Sequence, residues 1–294
     1  GLAVADLLVG YQTPSGRLTD TIAYHIKDYP SNEEFGGEES NCYTEDIYVG
    51  YRYFETFAKE KVRYPFGYGL SYTKFELTCT DVQREAGNAV GKTVITVDVK
   101  NTGSYAGKEV VQIYGRAPQG ALGKPSRILL AYSKTELLKP GEMETIVFEI
   151  SDDQLVSYDD SGATGHRSCF VLEAGTYSIY AGTNVRSAEE VASFDIEDLI
   201  VVKQCREALA PVQAYKRIRP EIGEGGSVVI IREDVPLATI LPEERRNQEL
   251  PEEIAQKVVS DEARNLIGNE YGTTENEKQE EFGTVGDDIS SRGY

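Results

Sequence analysis

Glu45 is the residue whose neighbours best suit it to chemistry. Tyr43, Tyr48, Tyr51, Arg52 and Tyr53 crowd around it in the sequence. A carboxylate accepts hydrogen bonds from hydroxyls, and aromatic faces stack on sugar C–H surfaces, so Tyr43, Glu45 and Arg52 form a candidate pocket rim for a carbohydrate. The plainer structural reading is that Glu45 pairs with Arg52 or Arg63 and pins two parts of the chain together. His25 and His166 stand far apart, each with no Cys or second His nearby, so no metal is expected. Ser15 lacks the G-x-S-x-G frame of a nucleophile elbow and reads as a turn residue. Gly36-Gly37 and Gly225-Gly226 are followed by no Lys-Ser/Thr pair, which excludes a phosphate cradle of the P-loop type. The acidic run from Glu275 to Glu281 lacks the EF-hand order of ligands and reads as a solvated tail. No cofactor is expected.

Composition narrows the partners. The formal net charge is −19, from 49 acidic and 30 basic residues. Such a chain repels nucleic-acid phosphates and anionic membrane surfaces, and no apolar run reaches transmembrane length. Cys42, Cys79, Cys169 and Cys205 form no C-x-x-C pair and read as free thiols in a reducing, cytoplasmic compartment. The chain opens on Gly1 with no basic segment before an apolar core, and reads as truncated at its start.

The elements that must position these residues divide at one seam. Arg63-Tyr64-Pro65-Phe66-Gly67-Tyr68-Gly69-Leu70-Ser71-Tyr72-Thr73 alternates aromatics with glycines and a proline. Glycine permits close backbone approach, proline fixes φ, and the rings bury area, so the stretch reads as a rigid hinge. Before it, Leu2 to Val9 has helical spacing, residues 28–46 are polar and loop-like, and Ile47 to Phe54 suggests a helix followed by an extended stretch. After it, strands are expected at Phe75 to Asp81, Thr93 to Lys100, Glu109 to Tyr114, Ile128 to Lys134, Glu144 to Ile150, Cys169 to Leu172 and Thr176 to Ala181. Ile95, Val97 and Val99 share one face and should point inward. Turn signals at Asn101-Thr102-Gly103, Pro118-Gln119-Gly120, Pro140-Gly141 and Ala174-Gly175 separate the strands, and the spacing argues for a two-sheet sandwich. From Leu209-Ala210-Pro211 the pattern dissolves. Val228 to Ile231 is a short strand candidate, Leu250 to Leu266 has helical potential, and the chain after Gly268 reads as disordered.

Several of these segments resemble family 3 glycoside hydrolases, the β-glucosidase group, in the family's own order. Pro14-Ser15-Gly16-Arg17-Leu18 resembles the turn that ends its α/β sandwich domain. Tyr43-Thr44-Glu45-Asp46-Ile47-Tyr48-Val49-Gly50-Tyr51-Arg52-Tyr53 resembles the segment that follows, with Asp46 where a glycine is usual. The aromatic hinge resembles the junction with a fibronectin type III-like domain, whose own motifs are similar to Asn101-Thr102-Gly103, Gly107-Lys108-Glu109-Val110-Val111-Gln112 and Leu137 with Pro140-Gly141-Glu142. The resemblance implies a mainly β chain: an immunoglobulin/fibronectin III-like β-sandwich at 73–205, preceded by a remnant of an α/β sandwich domain and hinge at 1–72, and followed at 206–294 by a linker, a short helix and an acidic tail. It implies that residues 1–70 cannot close a core alone.

A retaining glycosidase needs two carboxyl groups about 5–5.5 Å apart. The resemblance implies an Asp nucleophile from a (β/α)₈ barrel and a Glu acid/base from the α/β sandwich domain, and no residue here matches either motif. The chain is expected to hydrolyse nothing by itself. Its partners would be the missing barrel and α/β sandwich domains and, in a complete enzyme, a β-linked sugar. Tyr158-Asp159-Asp160 and Val171-Leu172-Glu173-Ala174-Gly175-Thr176-Tyr177 are similar to a subset in which these domains precede the barrel. The competing reading is an independent β-sandwich module that binds carbohydrate or protein.

Overall fold

The computed structural model describes residues 1–37, 41–85, 87, 90–207, 210–223 and 228–240. The first part of the chain contains helix α1 (Leu2–Leu8), strand β1 (Ile22–Ala23), helix α2 (Tyr51–Phe57) and strand β2 (Val62–Tyr64), with short 3-10 turns at Ile26–Asp28, Pro30–Glu33 and Lys59–Lys61. β1 and β2 pair antiparallel. The order expected for Ile47 to Phe54 is reversed: the stretch before Gly50 is a turn and the helix follows. Gly50 sits at φ +57, a conformation open to glycine, and starts α2 there.

The middle of the chain is a sandwich. Strands β3 (Phe75–Glu85), β4 (Lys92–Asn101), β5 (Val110–Arg116), β6 (Ile128–Lys134) and β7 (Met143–Ser151) are followed by β8 (Ser157–Asp159), β9 (Cys169–Leu172), β10 (Gly175–Gly182), β11 (Glu189–Ile196) and β12 (Ile200–Gln204). One sheet has the order β3-β4-β7 and the other β11-β10-β5-β6, all antiparallel. Ile95, Val97 and Val99 of β4 face inward as their alternation requires. They meet Val111 and Ile113 of β5, Ile146, Phe148 and Ile150 of β7, and Ile179 of β10. A third sheet, β12-β9-β8, extends one end over Leu155, Leu172 and Tyr177.

Two of the motifs are knots in this sandwich. Asn101 is fully buried and uses its side chain in four directions. Its Oδ1 accepts from Thr73 Oγ1 (2.7 Å) and the Gly103 amide (3.0 Å), while its Nδ2 donates to the carbonyls of Tyr105 and Leu138 (2.8 Å each). A Cβ on Gly103 would lie 2.2 Å from Thr73 Oγ1, so glycine is required there. Asp159 likewise accepts from the amides of Ser161, Gly162, Ala163 and Thr164, and from the Ser161 and Thr164 hydroxyls. Burial alone would raise the Asp159 pKa, but these donors outweigh it and hold the carboxyl below its usual range.

After the sandwich the chain departs from the linker expected at 206–294. Strands β13 (Lys216–Ile222) and β14 (Val228–Asp234) form an antiparallel hairpin in which Lys216 faces Asp234 and Ile222 faces Val228. Pro220 sits in β13 because the hairpin is only two strands wide and its missing N–H breaks no further ladder. The Leu250 to Leu266 stretch and the tail after Gly268 lie outside the described residues.

The hairpin contributes to the core that residues 1–70 do not close alone. Ala23, Tyr48, Tyr53, Phe54, Ala58 and Val62 are buried together, and Ile218 of β13 completes the cluster. The Ile218 amide also donates to the Thr44 carbonyl (2.7 Å). By contrast, α1 buries none of its residues. Because Ile218 is buried in this small core, Ile218→Ala should destabilise the chain by about 2–5 kcal/mol. Urea unfolding followed by tyrosine fluorescence measures the loss as a lower midpoint.

Candidate functional site

The seam is a clasp of backbone and side chains. The Gly67 amide donates to the Leu18 carbonyl (2.8 Å), the Leu18 amide donates to the Tyr68 carbonyl (2.8 Å), and the Val185 amide donates to the Phe66 carbonyl (3.1 Å). Gly67 has φ +81, and a Cβ there would lie 2.3 Å from Gln112 Oε1. Gln112 Nε2 donates to the Thr183 carbonyl (2.6 Å), and its Oε1 accepts from the Tyr114 hydroxyl. Arg17, in the Pro-Ser-Gly turn, pairs with the buried Glu109. The Glu109 and Gln112 of one motif thus hold the hinge made by two others.

Helix α2 docks on the sandwich beside this clasp. The Tyr51 ring lies 4.6 Å from Phe66 and 6.3 Å from Tyr114, and its hydroxyl accepts from the Leu129 amide (2.9 Å). Arg186 Nε donates to Glu55 Oε1 (2.9 Å), and Ser126 Oγ donates to the Glu55 carbonyl (2.7 Å). Tyr51 and the buried Tyr48 and Tyr53 therefore pack inside the protein and offer no exposed platform for a sugar.

The three rim candidates differ in exposure. Tyr43 is 74% exposed, Glu45 is 7% exposed, and Arg52 lines a cavity of about 310 Å³. The ion pair expected between Glu45 and Arg52 or Arg63 is not formed among the described residues. Glu45 Oε2 is buried without a hydrogen-bond partner, and Arg63 lies over the Tyr64 ring at 5.4 Å. Asp46 instead carries the charge contact of this segment.

That contact is at the cavity, between α2, the ends of the sandwich strands and the hairpin. The Arg217 guanidinium reaches three carboxylates: Asp46 Oδ2 at 3.1 Å, both oxygens of Asp160, and Glu233 Oε1 at 3.0 Å from Nε. Arg219 adds a second contact to Glu233 at 2.8 Å. Burial alone would lower the Arg217 pKa, but the carboxylates outweigh it and hold the guanidinium protonated more firmly than usual. Burial raises the Asp46 pKa, Arg217 opposes it, and Asp160 and Glu233 add to the rise, so Asp46 ends above its usual range. Burial, and then Asp46, also raise the pKa of the Tyr48 phenol. Lys124 lines the same cavity but is engaged by the buried Glu173, and burial lowers its pKa. Arg217 could not be read from local pattern, because its partners lie 171 and 57 positions away. Among the described residues no group of three or more His, Cys, Asp or Glu could hold a metal, and no helix is long and apolar enough to cross a membrane.

Fold and seam define a fibronectin III-like sandwich clasped to the segment that precedes it. A family model for the fibronectin type III-like domain matches residues 109–185. A β-glucosidase of Ruminococcus albus is 47% identical over 255 residues, which is 87% of this chain and 26% of that enzyme. The crystal structure of a β-glucosidase from Paenibacillus barengoltzii superposes with a TM-score of 0.81 at 50% identity, covering 85% of this chain and 28% of that one. Thermotoga neapolitana β-glucosidase 3B matches 67% of this chain and 26% of its own, at 39% identity and a TM-score of 0.58. The chain belongs to the region of the family 3 glycoside hydrolases that carries their fibronectin type III-like domain. It spans about a quarter of the length of these relatives.

Removing the shared cation would leave three carboxylates facing one another. Arg217→Met should cost about 2 kcal/mol at neutral pH, a value reduced from that of a fully buried pair because the carboxylates are partly solvated. A carboxyl whose folded pKa lies above its unfolded value binds its proton more readily when folded, so stability is gained as pH falls through that value and lost as it rises. Without Arg217 the Asp46 pKa rises further. The deficit of the variant should therefore shrink between pH 7 and pH 5, as thermal melts of both proteins at the two pH values will show.

Proposed function

We propose that this chain is the bracing part of an enzyme that hydrolyses β-glucosides, with the catalytic carboxylates supplied by other domains. The observation that carries the reading is the clasp at Gly67. It holds the Pro-Ser-Gly turn, the hinge and strand β5 at one fixed distance, which suits a sandwich that keeps neighbouring domains in register. The β-glucosidases of Ruminococcus albus and Paenibacillus barengoltzii support the substrate class. The cavity supports the division of labour. Asp46, Asp160 and Glu233 all converge on Arg217, so they neutralise its charge and none stands free to act as nucleophile or acid.

The exposed apolar face of the first part fits the same reading. Leu2, Leu8, Tyr11 and Phe35 are each more than three-quarters exposed. Patches of this kind mark surfaces that pack on something else, and the remainder of an α/β sandwich domain is the natural cover. We also place the chain with the domain-permuted subset. The match to the Ruminococcus enzyme extends over 87% of the chain, against 67% for the Thermotoga enzyme, which fits additional shared structure next to the sandwich. The four unpaired cysteines support a cytoplasmic location.

Two measurements test the proposal. The purified chain should release no p-nitrophenol from p-nitrophenyl β-glucoside, and turnover above that of buffer would refute the division of labour. Gly67→Ala in the complete enzyme should cost about 2–4 kcal/mol, from positive φ and overlap with Gln112. That loss should appear as a lower melting temperature with KM unchanged. A raised KM with unchanged melting would show that the seam serves the substrate directly.

A further inference from the structure

We propose that the β8–β9 loop is a two-ended clamp, through which the sandwich makes the β13–β14 hairpin and the small core before the seam open and close as one unit. A two-stranded hairpin is marginal in water by itself and gains its stability by docking. Little of this docking is apolar. Along β13 and β14 only Ile218 and Pro220 are buried. Polar contacts therefore hold much of the hairpin in place.

The loop that supplies them is stiff. Asp159 is fully buried and gathers four amides and two hydroxyls of the loop, and the Ser168 amide closes the base by donating to the Asp159 carbonyl (2.7 Å). Any other loop course would leave these buried groups unpaired. Each end of the loop then grips one end of the hairpin. Asp160 receives both terminal nitrogens of Arg217, at the start of β13 (2.5 and 3.1 Å). Arg167 Nη2 donates to the Leu237 carbonyl (2.7 Å), just past the end of β14. The buried Glu207, 3.4 Å from Arg167, accepts from the Thr239 amide (2.7 Å) and hydroxyl (2.8 Å). The Val235 amide donates to the Tyr215 carbonyl (3.0 Å) and the Ala238 amide to the Pro211 carbonyl (2.8 Å). Residues 235–239 thus lie as a strap along the segment that enters β13.

The hairpin passes this hold to the first part of the chain. The Ile218 amide donates to the Thr44 carbonyl, its side chain packs with Tyr48, Tyr53 and Phe54, and Arg217 reaches Asp46. Each gripping contact is modest. Once one end is held, however, the other end is presented to its partners at high effective concentration, so the two grips act together. Loss of either grip should therefore be felt along the whole hairpin.

Hydrogen exchange in the isotope-labelled 294-residue chain, followed by NMR, tests the clamp. In the unmodified chain the amides of Ile218 and Val235 should share one opening equilibrium, and it should lie below that of Ile95 and Ile113 in the central strands of the sandwich. Glu207→Gln keeps the side-chain shape and weakens only the exit grip. It should speed exchange at Val235 roughly tenfold and at Ile218, in the other strand, by the same factor. Asp159→Ala should do the same more strongly. Thr164→Val, which deletes a single donor to Asp159, should give a smaller change of the same pattern and decides the matter where Asp159→Ala does not fold. Faster exchange at Val235 with Ile218 unchanged would show that the two ends are held independently, and would overturn the clamp. So would an Ile218 amide that exchanges as slowly as Ile95 and Ile113, because the hairpin would then open only when the sandwich unfolds.

Discussion

The seam is organised around the contact between Gly67 and Gln112. A backbone can approach a side-chain amide this closely only where no Cβ intervenes, and Gly67 at φ +81 meets both conditions. Gln112 in turn is held by the Thr183 carbonyl and the Tyr114 hydroxyl, so the amide is fixed from two sides before the hinge reaches it. Phe66 then lies against Tyr51, and Tyr51 carries α2 onto β6 through the Leu129 amide. A polar clasp of this kind adds little net stability per hydrogen bond, but it leaves few alternative arrangements because each donor and acceptor would be buried and unpaired in any other.

From that clasp the position of the cavity follows. With α2 fixed on the sandwich, the turn before it places Asp46 beside the end of β8. Asp46 has φ +51, in the left-handed region where the resembled motif has glycine. Short polar side chains tolerate this region better than other L-residues, though still at some cost. Glycine would remove the strain and with it the carboxylate that reaches Arg217. The Asp thus exchanges a local backbone penalty for a long-range ion pair that ties the seam to the hairpin. Arg217 is well suited to that junction, because its planar fork can satisfy several carboxylates at once and it stays charged when buried.

How much of this was legible in the sequence depends on the range of the interactions. Alternation along β4 and β5 reports which face is buried, and turn residues report where strands end, so the sandwich could be read from local pattern. The motifs could be read as well, because Asn101, Gly103, Glu109 and Gln112 act on partners whose types the backbone geometry restricts. β13 could not. Lys216 to Ile222 has two isoleucines, four charged residues and a proline, and it forms a strand only because Ile218 finds a core prepared by Tyr48, Tyr53 and Phe54. Tertiary burial overrode propensity there. The exposure of the aromatics around Glu45 could not be read for the same reason. Tyr43 and Tyr48 differ by five positions and look alike in sequence, yet one is solvated and the other enclosed.

In the brace proposed above, the two faces of the first part have different tasks. Toward the sandwich its groups are paired and its rings interlock, through Arg17 with Glu109, Glu55 with Arg186, and Tyr51 with Phe66. On α1 and at Phe35 the side chains are apolar and uncovered. Hydrophobic association is non-directional and scales with area, so an apolar face can hold a neighbouring domain tightly without fixing its orientation. Directional hydrogen bonds and ion pairs fix orientation while adding little net stability. Placing the directional contacts at the seam and the apolar area at the open face lets the sandwich set the geometry while the apolar face supplies the adhesion. The proposed enzyme, with its two catalytic carboxylates on different domains, would need both, because the distance between those groups is only as well defined as the least rigid contact that separates them.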